Sequence, residues 1–195
     1  MLKHLADLPG EAYALLSSLV SLGIVFYRKR KAARKKLKFI AAIEDLSDTL
    51  ECMLNILRDT SADRVLLLSG HNCGGIPRNT SPFYVSVMHY CYREVNKSRR
   101  ANDYKKLCVD AAYVEMLITT YIRGHYHFDP DKEPEGQLKY YYGLEGVTDS
   151  HIFSLGVQEN KMFFVSVAKC GGKFNEQEHT LIKLKSQKLA NLIKD

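Results

Sequence analysis

The chain has 195 residues, 46% of them hydrophobic and 26% charged, which is enough apolar material for one core plus an appendage and too much for a disordered chain. Five cysteines, at 52, 73, 91, 108 and 170, form no CxxC pair and no even framework, so free thiols in a reducing compartment are the simplest reading. The formal charge of +6 is local: residues 28–38, RKRKAARKKLK, hold eight Lys or Arg, and taking these from the 28 basic residues leaves 20 against 22 acidic ones, so no basic face remains for nucleic acid.

Residues 1–11 read as an N-terminal tail. Residues 12–27, AYALLSSLVSLGIVFY, carry no charge; as a helix they span about 24 Å, against a hydrocarbon core of roughly 30 Å. The cations follow this run instead of preceding it, the inverse of a signal peptide. The positive-inside rule then predicts a single-pass anchor with its N-terminus outside and the remaining chain cytoplasmic. Residues 28–36 become a juxtamembrane linker, and the cations of 28–38 face anionic lipid headgroups. The alternative is a helix buried in the protein's own core, followed by a solvated charge run.

Residues 37–58 place Phe39, Ile43, Leu46, Leu50, Met53 and Leu57 at alternating steps of four and three, a heptad seam. Such a seam packs on its own domain or on the same helix of another copy. Two copies anchored in one bilayer would present their seams in parallel and at raised effective concentration, so a homodimer is expected. Val65–Leu68 reads as a buried strand. The following SGHNCGGIP, 69–77, reads as a turn: Gly70, Gly74 and Gly75 permit positive φ and Asn72 tolerates it. PFYVSVMHYCY, 82–92, alternates as a strand, and 96–106 is a polar loop. Residues 110–124 form a helix with Asp110 as N-cap and Gly124 as its stop. A short strand HYHFD, a short helix within 134–146 and two strands, 151–157 and 161–169, joined by Gln158-Glu159-Asn160, come next. Asn175 caps a last helix whose Leu181, Leu184, Lys188 and Leu192 line one face.

The end of the chain, strand KMFFVSVAK, turn CGGK and helix FNEQEHTLIKLKSQKLANLI, resembles the end of GAF domains. This implies an α+β fold over residues 37–195, with an antiparallel sheet, terminal helices on one face and any ligand on the other. The family's cyclic-nucleotide binders carry Asn-Lys, Phe and Asp-Glu at this point, the Lys and Asp forming a structural tie. Here the matching residues are Ala168-Lys169, Phe174 and Glu178-His179, so the resemblance implies a Lys169–Glu178 tie without the Asn and the final Glu.

His71-x-Cys73 and His89-x-Cys91 have metal-ligand types at a shared spacing. If the strands 65–70 and 83–91 pair through the loop between them, the two pairs lie near 20 Å apart, so no metal is expected. His125 and His127 share a face of a short strand, where they sense pH, ligate or simply face solvent. Anion binding by the Gly-rich turn is conceivable from its backbone N–H groups, but it lacks the lysine and helix of a phosphate loop. Ligand contacts are expected at His71, Asn72, Gly74, Gly75 and His89, at the rim of a pocket; the ligand or cofactor is unknown, and no catalytic residue stands out. The function expected is a membrane-anchored, non-enzymatic sensory or ligand- or partner-binding module. A docking or assembly protein and a small cysteine-dependent redox enzyme of the same fold are the alternatives.

Overall fold

A computed structural model describes the backbone of residues 10–72, 82–94 and 103–194, and the side chains of all of these except 10–26, 32–34, 37–39 and 194. The tail 1–9, the side chains of the apolar run up to residue 26, Phe39, Cys73, Gly74 and Gly75 lie outside the described residues. Among the described residues no helix is long and apolar enough to cross a membrane.

The chain divides into two compact units, Met1–Leu46 and Ser47–Asp195. Helix α1, Gly10–Asp59, is unbroken. The basic run that reads as a linker is helical too, because Lys, Arg and Ala are good helix formers; the described side chains of 28–31, Lys35 and Lys36 are exposed. The heptad seam is divided in use. Ile43 and Leu46 are 50% and 40% exposed, whereas Met53 and Leu57 are 0% and 7% exposed. The last turn ends where Arg93 reaches across to donate to the carbonyls of Leu57 and Thr60, at 2.6 and 2.8 Å.

The second unit is built on one six-stranded antiparallel sheet in the order β3-β2-β1-β6-β5-β4. Its strands are β1 (Arg64–His71), β2 (Tyr84–Tyr92), β3 (Leu107–Cys108), β4 (His125–Phe128), β5 (Asp149–Gln158) and β6 (Lys161–Lys169). Helices α2 (Ala111–Arg123) and α3 (Gln137–Glu145) precede β4 and β5, and α4 (Glu176–Lys194) closes the chain. The expected order of elements is present. The two-residue β3 is an addition, beyond the reach of any periodicity.

Local chemistry accounts for the boundaries. Asp110 Oδ1 accepts from the N–H of Tyr113 at 2.8 Å, and Gly124 ends α2 in the left-handed region at φ 77°. Asn175 and Glu178 form a reciprocal capping box at the start of α4, with N–H to side-chain contacts of 2.9 and 3.0 Å. Glu159 and Asn160, at φ 50° and 62°, make the two-residue hairpin between β5 and β6.

Alternation along the strands gives each face its own core. On one face Val65, Leu67, Phe153 and Val165 pack with Met53, Ile56, Ile182 and Leu189. On the other, Leu66, Leu68, Ile152 and Phe164 pack with Met116, Leu117, Leu138 and Tyr142 of α2 and α3. Arg64, 1% exposed, lies on this second face; its guanidinium pairs with Glu145 and sits 4.8 Å from the Tyr142 ring centroid, and Tyr104 donates to the other Glu145 oxygen at 2.7 Å.

Candidate functional site

Of the expected contact residues, Gly74 and Gly75 lie outside the described residues. His71 ends the β1–β2 ladder opposite Tyr84, while His89 is opposite Leu67 near its middle, with Cys91 opposite Val65. Ser69, Gly70 and His71 belong to β1, not to a turn. Gly70 is needed there for a reason other than positive φ: a Cβ would stand 2.9 Å from the Phe83 ring. His71 Nε2 lies 3.2 Å from Ser86 Oγ and borders a cavity of about 530 Å³ with Ser69, Tyr84, Lys106 and Lys161. Asn72 is buried beside it in sequence.

Lys169 and Glu178 take separate partners. Lys169 Nζ donates to the carbonyl of Lys173 at 3.1 Å and lies over the Phe174 ring. Glu178 accepts from the N–H of Ser61 at 2.6 Å and from Asn175. Cys52, Cys91 and Cys108 carry free thiols and, with Cys170, belong to separate parts of the fold. Cys52 and Cys91 are buried, and burial raises both thiols above their ordinary value.

The densest chemistry lies where β4, β5 and α4 meet. The register sets His127 opposite His151 and His125 opposite Phe153, and the two-residue period puts Asp149, His151 and Phe153 on the same face of β5. His179, in the first turns of α4, covers them from above. His127 Nε2 lies 2.7 Å from Asp149 Oδ1, while Asp149 Oδ2 accepts from the N–H of Phe174 at 2.8 Å. His125 Nε2 lies 2.8 Å from His151 Nδ1. The His127 and His151 rings stack with centroids 4.6 Å apart, and His179 meets His151 edge-on at 4.2 Å. Burial, and then the neighbouring His179, His127 and His125, bring His151 down to about 3, against a smaller upward pull from Asp149. The imidazole at the centre is therefore neutral at neutral pH. Its Nε2 has no hydrogen-bond partner although the residue is 3% exposed.

Beside this cluster is a cavity of about 720 Å³. Arg123, His125, His151, Phe153, His179 and Lys183 border it, and among the described residues no carboxylate does. Ser186, 2% exposed and also on its wall, has a hydroxyl without a protein partner. The arrangement offers cationic and neutral donors, an apolar wall at Phe153 and unused polar atoms, which is the make-up of a small-ligand site. The resemblance implies ligands on the opposite face; this cavity is on the side of α4. The sequence showed the pair His125 and His127, but His151 and His179 are 24 and 52 residues beyond His127, and joined them only through strand register and the docking of α4.

No family model and no curated protein sequence matches the chain. Solved structures do. A GAF domain/HD domain protein from Geobacter sulfurreducens matches with TM-score 0.54 and 12% identity over 77% of this chain and 90% of that one. The GAF domain region of a presumed membrane protein from Geobacter sulfurreducens matches with TM-score 0.51 and 13% identity over 78% and 97%. A GAF domain in its photoproduct state, from Synechocystis sp., matches with TM-score 0.51 and 14% identity over 75% and 90%. The fold is GAF-like.

Proposed function

We propose that this chain is a non-enzymatic GAF-like sensory module, held by residues 12–27 in a membrane with its domain on the cytoplasmic side, that binds a small anionic ligand between β5 and α4. The observation that carries the reading is the cavity lined by Arg123, Lys183 and imidazoles without a facing carboxylate. Fixed positive charge in a partly enclosed space favours a carboxylate or phosphate, and Phe153 and Ala190 supply an apolar wall for the rest of such a molecule. Because α4 provides one side of the cavity, occupancy bears directly on a terminal helix, the element from which such a module passes its state onward.

The test is a thermal-shift and calorimetric screen of the full chain with short carboxylates and phosphate monoesters. At least one class raises the melting temperature, and Arg123→Glu or Lys183→Glu weakens its binding by at least about 10-fold, a loss of roughly 1.4 kcal/mol. A screen in which no anion binds, or in which neither substitution matters, removes the reading.

The rest of the proposal has its own tests. Full-length protein fractionates with membranes, and protein lacking residues 1–36 is soluble. The exposed part of the seam, Ile43 and Leu46, is offered to a second copy, so Leu46→Cys in a background without native cysteines cross-links two chains. A second site reading keeps the cavity at His71, where Lys106 and Lys161 also bring positive charge beside Ser69 and Ser86; His71→Ala abolishes ligand binding in that case while Lys183→Glu leaves it intact.

A further inference from the structure

We infer that His127, Asp149 and His151 form a site for one divalent first-row transition-metal ion, with His125 as the residue that orients His151. The three residues each bring a ligating atom within 4.8 Å of the other two. They come from two adjacent strands whose pairing is fixed by four consecutive cross-strand partners, so the backbone holds the set on a rigid support. Two imidazoles and one carboxylate are the donor types that zinc, cobalt, nickel and ferrous iron accept, with a further position left for water or an anion.

Three features distinguish this set from a chance grouping. Asp149 is 2% exposed at its side chain and yet carries a carboxylate, whose second oxygen is held by the Phe174 N–H. A ligating carboxylate is commonly fixed in this way by a partner beyond the metal. His151 has Nδ1 against His125 Nε2, which leaves Nε2 as the nitrogen available for ligation. With the His151 Nδ1–H donating to His125, Nε2 presents a bare lone pair. With the proton on His125 instead, Nε2 carries a buried N–H with no acceptor, an arrangement that costs about 1–3 kcal/mol. A cation at Nε2 selects the first tautomer and satisfies the orphan atom. Finally, His151 borders the cavity beside α4, so water or an anion can reach the open position of an ion held there.

A tetrahedral ion about 2.0–2.2 Å from each ligand sets the ligand atoms about 3.3 Å apart, so the widest separation must close by about 1.5 Å. His127, on the sheet's outer strand with its side chain 40% exposed, has the room to make that movement. The expectation of no metal rested on the two H-x-C pairs, of which Cys73 lies outside the described residues; it did not weigh the residues that β5 brings to His127.

The experiment uses the full chain, free of any affinity tag, stripped with a chelator and titrated with Co²⁺ or Zn²⁺ in a buffer without coordinating anions. The expected result is one Co²⁺ per chain with visible absorption bands, displaced by Zn²⁺, with a dissociation constant in the micromolar range or tighter. His127→Ala and Asp149→Asn each weaken Co²⁺ binding by more than about 100-fold, beyond the 10–100-fold that loss of an orienting partner costs, and His125→Ala falls within that smaller range. His71→Ala leaves it unchanged. His127→Ala removes the partner of the buried Asp149 Oδ1, so the fold of the variant is checked by circular dichroism and the Asp149 result serves as the second witness. Absence of stoichiometric Co²⁺ and Zn²⁺ binding overturns the inference, as does binding that persists in His127→Ala. No anion is needed for the titration, so a failed anion screen and a failed metal titration are separate results.

Discussion

The two faces of the sheet each bury charge, and they treat it differently. On the α2–α3 face, Arg64 meets Glu145 within the chain, Tyr104 adds a hydrogen bond and the rest of the guanidinium lies against tyrosine rings. On the α4 face, Asp149 and four imidazoles are clustered at the open end of the sheet, one ring nitrogen has no partner and a cavity adjoins it. On the first face the counter-charge comes from within the chain, so the pair contributes to holding the fold, although Arg64 Nε and Nη2 and the Tyr92 hydroxyl make no hydrogen bond among the described residues. The second face differs in having a cavity beside its unpartnered atoms, and the proposed recognition site lies there.

The largest effect is expected where the closed face is broken. Glu145→Ala leaves the Arg64 charge buried without a counter-ion, and unfolding in urea reads a loss of about 3–5 kcal/mol. Adding Arg64→Met in the same chain returns most of that loss, because the cost lies in the unpaired charge and not in missing attraction. A double variant as unstable as the single one would show that the ion pair is not what closes this face. His127→Ala, on the open face, costs about 1–3 kcal/mol in the absence of metal, because the buried Asp149 Oδ1 loses the imidazole 2.7 Å away.

A smaller loss comes from the same closed face without any charge. Gly70→Ala places a methyl 2.9 Å from the edge of the Phe83 ring and 3.5 Å from Phe164, and overpacking of this kind costs about 1–3 kcal/mol. Phe83→Leu in the same chain relieves it. An alanine variant as stable as the parent would mean that the Phe83 ring gives way freely.

The contrast between the faces also explains what could be read in advance. Helix caps at Asp110, Gly124 and Asn175 and the strands of β2, β5 and β6 are local, each written within a few neighbouring residues, and they were legible. Arg64 was not, because its partner Glu145 lies 81 residues away and nothing near Arg64 in sequence marks it as buried. The histidine cluster was half legible: His125 and His127 show their common face by spacing, while His151 and His179 join them only through the β4–β5 register and the seating of α4. Gly70 was legible as a special position for the wrong reason, since a ring 13 residues later, not a turn, requires it.

The smallest effect tests how far the open face depends on charge at the start of α4. Burial pushes the Glu178 carboxyl up, but hydrogen bonds from the Ser61 and Asn175 N–H groups, at 2.6 and 3.0 Å, outweigh it, Lys169 adds to them, and the folded carboxyl sits at about 2 against an ordinary value of 4.5. Because the folded value is the lower one, the ionised carboxylate stabilises the fold above about pH 4.5, and that contribution is lost as pH falls toward 2. Partial exposure to water discounts it to about 1 kcal/mol, in the range of a capping contact. In Glu178→Gln the neutral amide keeps one acceptor for Ser61 or Asn175 and has no proton to gain, so the variant is less stable at pH 7 by about 1 kcal/mol. The gap between it and the parent narrows as both are unfolded in urea at pH 4, 3 and 2.5. A gap that stays constant with pH would assign the capping effect to shape alone and remove the carboxylate from the account of how α4 is held over the histidines.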